Sequence, residues 1–172
     1  IGDSFDWQIN TTELEQQGRD LADKIGDKTP LIYAPYGWDY VAQFWKTSFN
    51  ENSKIHSFSN VFPILEHAEL AGFNIKDNAK YFVVILKDQL LDNKTYFLND
   101  KALNSDIDHT VAILNKICYS YDIVNFSGKT SLEKVINSYI LALWTSYYLA
   151  EFLNVDPDDT GAIEDFKKLK NS

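Results

Sequence analysis

The chain has 172 residues, 45% of them hydrophobic and 15% aromatic, a length that fits one domain and a composition that excludes an intrinsically disordered chain. Sixteen Lys and Arg against 25 Asp and Glu leave a formal charge of −9, which speaks against a nucleic-acid partner because phosphate backbones select basic surfaces. Arg19 is the only arginine and Cys118 the only cysteine, so bidentate Arg clamps on phosphate are nearly unavailable, and neither an intrachain disulfide nor a cysteine-based zinc site can form.

Residues 1–10 show no period and read as a linker remnant, with Asp3 and Asp6 where a signal peptide would be basic. Thr11 and Thr12 offer an N-cap, with Glu15 placed for a capping box, and Leu14, Leu21, Ala22 and Ile25 form one helical stripe that Gly26 stops. Leu31-Ile32-Tyr33-Ala34 is a short apolar run that predicts a buried strand. Asp39 then caps a helix with Val41, Ala42, Trp45 and Phe49 on one face. A polar crossing, Asn50 to Ser57, leads into a predicted helix from Asn60 to Gly72. Tyr81 to Leu86 is the clearest strand, apolar without alternation, as expected when both faces of a sheet are covered. Leu90 to Leu103 is ambiguous, with a small strand conceivable at Thr95 to Leu98.

A helix follows over Asp106 to Ser120 on Ile107, Val111, Leu114 and Cys118, then a strand over Asp122 to Phe126 that Gly128 ends. Ser131 caps the longest helix, which runs to Asn154 and is apolar nearly all round after Tyr139, so it should be buried. Its most apolar part, Tyr139 to Leu153, falls short of the ~20 residues that span a bilayer. Pro157 breaks the chain, and a last short helix holds Ile163, Phe166 and Leu169. Strands alternating with helices predict an α/β fold: three layers, α/β/α, around a small, mainly parallel sheet, with residues 11–172 as the domain. The lone free thiol suits a reducing compartment, so the expectation is a soluble, cytoplasmic chain without a membrane partner. Because the chain lacks methionine, Ile1 is not an initiator, and the chain reads as processed or as the back part of a longer one.

Chemistry concentrates between Phe49 and Phe73. Glu51 stands between two asparagines just beyond an apolar helix, and His67 sits inside an otherwise largely apolar helix. Open α/β folds place ligands at the carboxyl ends of their strands, and a Glu and a His brought together there would serve as base and acid. Taken singly, each is more often a solvated or satisfied residue. The histidines at 56, 67 and 109 lack metal-ligand spacing, and Asp156, Asp158 and Asp159 lack the glycine and spacing of a calcium loop, so neither a metal nor a cofactor is expected. Tyr147-Tyr148 reads as core packing.

Two stretches, Asn50-Glu51-Asn52-Ser53-Lys54 and Pro63-Ile64-Leu65-Glu66-His67-Ala68-Glu69, resemble the signature of the bifunctional phosphoglucose/phosphomannose isomerases, which have the sugar isomerase (SIS) fold. The likeness continues at Leu86-Lys87-Asp88, Gly128 with Leu132, Ser146 to Ala150, Val155-Asp156-Pro157, and Ile163 followed by Lys167. It covers nearly the whole chain in order, but only the C-terminal half of that family, whose protomer pairs two SIS subdomains. The resemblance implies interconversion of glucose or mannose 6-phosphate with fructose 6-phosphate through a cis-enediol, in a homodimer. Glu51 would move the proton between C1 and C2, His67 would assist ring opening in the neighbouring subunit's site, and Lys167 would contact the sugar oxygens. Thr160 and Lys54 would be substrate-binding.

Each role has a bland counterpart: Lys167 and Lys168 complement the negative end of a helix, and Thr160 serves as its N-cap. Three positions depart from the family: Phe44 and Lys87 replace usual arginines, and Ile64 replaces a usual glutamate. The Ser/Thr-rich loop that cradles the sugar phosphate belongs to the family's N-terminal subdomain and does not occur here, which makes that subdomain an implied partner. Two other readings stand beside the enzyme: a sugar-phosphate-binding domain without turnover, and a domain used only for dimerisation.

Overall fold

A computed structural model of the chain describes residues 9–73, 76, 78–88 and 100–170. Four strands, β1 (Thr29–Pro35), β2 (Phe58–Phe62), β3 (Tyr81–Lys87) and β4 (Ser120–Asn125), form one sheet in the order β2-β1-β3-β4. Every pairing is parallel. The helices are α1 (Thr11–Ile25), α2 (Asp39–Asn52), α3 (Ile64–Ala68), α4 (Asp100–Lys116), α5 (Ser131–Leu153) and α6 (Gly161–Lys170), with a 3-10 turn at Leu70–Gly72.

The pleat divides the core as a period of two requires. Ile32, Ala34, Val84 and Leu86 point into one cluster with α1, α2 and α5; Leu31, Tyr33, Val83 and Ile85 point into another with α3 and α4. This is the expected three-layer α/β/α arrangement. On the first face α1 and α5 approach so closely that a Cβ on Gly18 would lie 2.6 Å from Trp144 Cβ.

Several elements differ from expectation, each for a local reason. Asn10, not Thr11 or Thr12, caps α1: its Oδ1 accepts from the Glu13 N–H at 3.2 Å. Asp39 lies in the first turn of α2 after the N-cap Trp38. Thr130, not Ser131, caps α5 in a full capping box with Glu133. The segment expected to be one helix from Asn60 begins instead as β2, because pairing with β1 satisfies its backbone on the inner side. Pro63 then sets off the single short helix α3. Helix α4 spans Asp100–Lys116 rather than Asp106 to Ser120, and β4 starts at Ser120, two residues early. The conceivable strand at 95–98 lies outside the described residues. Helix α5 is not buried all round: Leu143, Tyr147 and Phe152 are exposed. Among the described residues, no helix is long and apolar enough to cross a membrane.

Helix α2 leaves the carboxyl end of β1 and returns to the amino end of β2, and α5 runs the same way from the carboxyl end of β4. The last turn of α2 therefore lies at the amino end of the sheet, beside Ser146 in the second half of α5.

Candidate active site

The Asn50–Lys54 stretch forms that last turn of α2, and its polar side chains are spent on holding it in place. Asn50 Oδ1 accepts from the Ser57 N–H at 3.0 Å. Asn52 Nδ2 donates to Ser146 Oγ at 2.8 Å, and Ser53 Oγ donates to the Ser146 carbonyl at 2.7 Å. Lys54 Nζ donates to the carbonyls of Glu51 (2.6 Å), Pro157 (3.0 Å) and Asp159. Glu51 is the exception. It is exposed, and its carboxylate has no hydrogen bond or ion pair among the described residues.

The loop gripped by Lys54 leads directly to Thr160. That residue is exposed, and its carbonyl accepts from the N–H groups of Ile163 (2.9 Å) and Glu164 (3.0 Å), as an N-cap residue's does. Asp156 and Asp159 act as turn formers, accepting from the N–H groups of Asp158 (2.9 Å) and Gly161 (2.8 Å). The structure thus brings Glu51, Lys54 and the Thr160 loop together, at the amino end of the sheet. The expected carboxyl-end location is corrected by the direction of α2, which carries Glu51 back past the whole length of β1.

Lys167 is farther off. It lies six residues beyond the start of α6, roughly 9 Å along the axis, and its Nζ is 2.6 Å from Glu164 Oε1. Every residue of α6 is exposed, with Phe166 at 66% and Leu169 at 75%. His67 is exposed in the last turn of α3, which begins just beyond the carboxyl end of β2. Within one chain, His67 and Glu51 therefore stand at opposite ends of that strand.

Around His67 the structure shows a network that sequence reasoning missed. Glu69 Oε1 accepts from Asn60 Nδ2 at 2.7 Å, and its Oε2 takes the O–H of the fully buried Tyr33. Burial first, then Glu69, pushes the Tyr33 phenol far above its usual range, so it remains a donor. Both carboxylate oxygens thereby pin the end of α3 to the sheet. A tyrosine inside an otherwise aliphatic strand was the available signal. Beside His67, burial and then the Asp106 carboxylate push the Glu66 carboxyl up, partly offset by His67 and His109. Among the described residues, Glu66 Oε1 is buried without a hydrogen-bond partner.

Two of the three departures from the family pattern have structural roles. Phe44 stacks on Tyr139 with ring centroids 3.8 Å apart, joining α2 to α5. Lys87 pairs with Asp108 at 3.2 Å. Ile64 is 54% exposed and supports nothing in the core. The neighbouring Asp88 and Lys134 form a buried ion pair, at 2.6 and 2.9 Å, that ties the carboxyl end of β3 to the first turn of α5. Tyr148 is buried as expected of a packing residue, whereas Tyr147 is 41% exposed. Among the described residues, no group of three or more His, Cys, Asp or Glu is placed to hold a metal.

Residues 14–169 match the family of bacterial phospho-glucose isomerase C-terminal SIS domains. The chain is 29% identical over 171 residues to the bifunctional phosphoglucose/phosphomannose isomerase of Thermoplasma volcanium, covering 98% of this chain and 52% of the relative. It is 30% identical over 144 residues to the Thermoplasma acidophilum protein of the same name, covering 83% and 42%. It spans about half the length of these curated relatives. A glucose-6-phosphate isomerase like protein from Thermus thermophilus has the same fold, with a TM-score of 0.63 at 22% identity over 88% of this chain and 46% of that one. The C-terminal domain of glucosamine-fructose-6-phosphate aminotransferase from Francisella tularensis is similar in fold too, at a TM-score of 0.61 and 16% identity over 87% and 43%. With the match spanning nearly every element from α1 to α6, the chain belongs to the bacterial phospho-glucose isomerase C-terminal SIS domain family, the C-terminal part of the bifunctional phosphoglucose/phosphomannose isomerases.

Proposed function

We propose that this domain supplies the base of a composite site that interconverts aldose and ketose 6-phosphates. The observation that carries the reading is the Asn50–Lys54 turn, in which the polar side chains brace the backbone and one exposed carboxylate, Glu51, is left over. Such a carboxylate suits a proton shuttle: it removes the proton from C2 of the ring-opened aldose, leaving a cis-enediol, and returns it to C1. A substrate and a second domain would cover Glu51 and shield the transfer from water. Lys167, freed from Glu164, would stabilise negative charge on the enediol oxygens, and Thr160 would line the same end.

His67 lies at the far end of β2 from Glu51, which supports its acting in ring opening on the substrate of a second copy in a homodimer. Glu69 supports that role by fixing α3. The phosphate grip is assigned to the N-terminal SIS subdomain that the relatives' doubled length leaves room for. A second reading, sugar-phosphate binding without turnover, is favoured by Phe44, whose ring fills the place of a charged residue.

A coupled assay with fructose 6-phosphate separates them. The full-length protein, with both halves, should turn over, and the 172-residue chain should not, because an unheld substrate gains nothing from a well-placed base. Robust turnover by the 172-residue chain would overturn the division of labour, and a full-length protein that binds the sugar phosphate without converting it would establish the second reading.

A further inference from the structure

Lys54 matches the family signature by type, but its ammonium is already fully occupied. A lysine has three donors, and here three backbone carbonyls, those of Glu51, Pro157 and Asp159, receive them. Two of these carbonyls lie more than a hundred residues away in sequence, on the loop between α5 and α6. The backbone of Lys54 adds a second observation. Its φ is +54°, the left-handed region that follows a helix end and that glycine fills at the least steric cost. A side chain that bears this cost, and whose donors all turn onto backbone, is there for the tie that it makes.

We propose that Lys54 is a positioning residue of the isomerase reaction and not a substrate ligand. Its ammonium fastens the turn bearing Glu51 to the Pro157–Thr160 loop, and so sets the base against the start of α6, the helix that carries Lys167. Asn52 and Ser53 hold the same turn against α5 through Ser146; only Lys54 reaches past α5 to the loop. The bond to the Glu51 carbonyl closes the tie on the residue whose side chain does the chemistry. The kinetic consequence rests on Glu51 being the base, whereas the tie itself does not.

The test compares Lys54→Gly and Lys54→Arg in the full-length protein. Glycine removes the ammonium and relaxes the positive φ at once, so the turn has no new reason to misfold. Arginine keeps the charge on a planar fork that fits three converging carbonyls less well. The measurements are kcat and KM for fructose 6-phosphate, and amide hydrogen exchange in peptides covering residues 154–162. For Lys54→Gly, kcat should fall about 10²-fold with KM held within about twofold, the signature of a misplaced reacting group. Exchange over 155–161 should quicken, and Lys54→Arg should restore part of both. If the glycine variant does not fold, the arginine variant must show the same split in milder form. A raised KM with unchanged kcat and unchanged exchange would make Lys54 a substrate ligand and overturn the proposal. Faster exchange with unchanged kcat would overturn it too, leaving a brace without a part in positioning. Glu51→Gln run alongside keeps the two readings apart: if that variant stays active, the base assignment fails, while exchange still decides whether Lys54 holds the loop.

Discussion

The last turn of α2 and the helix α6 carry Glu51 and Lys167, and the chain holds the two by opposite means. The α2 turn is tied to α5 and to the α5–α6 loop by bonds that reach about a hundred residues across the sequence. Among the described residues, the ion pairs of helix α6 are internal to it, Glu164–Lys167 and Asp165–Lys168, and Ile163, Phe166 and Leu169 are exposed. Ten residues are too few for a helix to be stable in water on its own pairs. The difference teaches that this domain fixes the place of Glu51 internally, whereas Lys167 rides on a helix whose apolar stripe is open.

That contrast can be broken most forcefully from the anchored side. Phe49, fully buried in the last turns of α2, should cost about 3–5 kcal/mol when changed to alanine, measured by urea unfolding of the 172-residue chain. Ser146→Ala removes the partner of Asn52 but leaves the carbonyl that Ser53 uses, and should cost about 1 kcal/mol. On α6, by contrast, Phe166→Ala should change the stability of the 172-residue chain by no more than about 0.5 kcal/mol. If a second domain covers the stripe in the full-length protein, the same change should lower turnover there. A large stability loss in the 172-residue chain would show that α6 packs within the domain after all.

The smallest effect concerns Glu66. Its carboxyl is pushed above the ordinary value in the folded state, so folding favours the protonated form. Stability from this group is present below its unfolded value, about 4.3 for a free Glu, and is lost as pH rises through the raised folded value. Glu66→Gln should therefore raise the melting temperature at neutral pH, with the gain fading toward acid; a gain that persisted unchanged at low pH would contradict this.

What was legible in the sequence follows from how local each signal is. The Tyr81–Lys87 run announced a central strand because burial on both faces leaves no polar position in it. Strand β2 was illegible: an edge strand can carry Ser59 and Asn60, and its identity rests on the pairing with β1. Glu51 stands out as a carboxylate between two asparagines, and its stretch resembles a family signature, but it lies at the amino end of the sheet and not at the expected carboxyl end. Which end of the sheet it occupies depends on the direction of α2, and periodicity does not encode direction. The Lys54 tie was beyond reach for a related reason, since its acceptors are backbone atoms of a distant loop.

The central claim is that Glu51 moves the proton, and its most direct test is Glu51→Gln in the full-length protein, assayed in deuterium oxide with fructose 6-phosphate. The amide keeps the shape but accepts no proton, so turnover and deuterium incorporation at the reacting carbons should fall together, by at least about 10²–10⁴-fold, with sugar-phosphate binding retained. Near-normal turnover and labelling in that variant would contradict the assignment of Glu51 as the base.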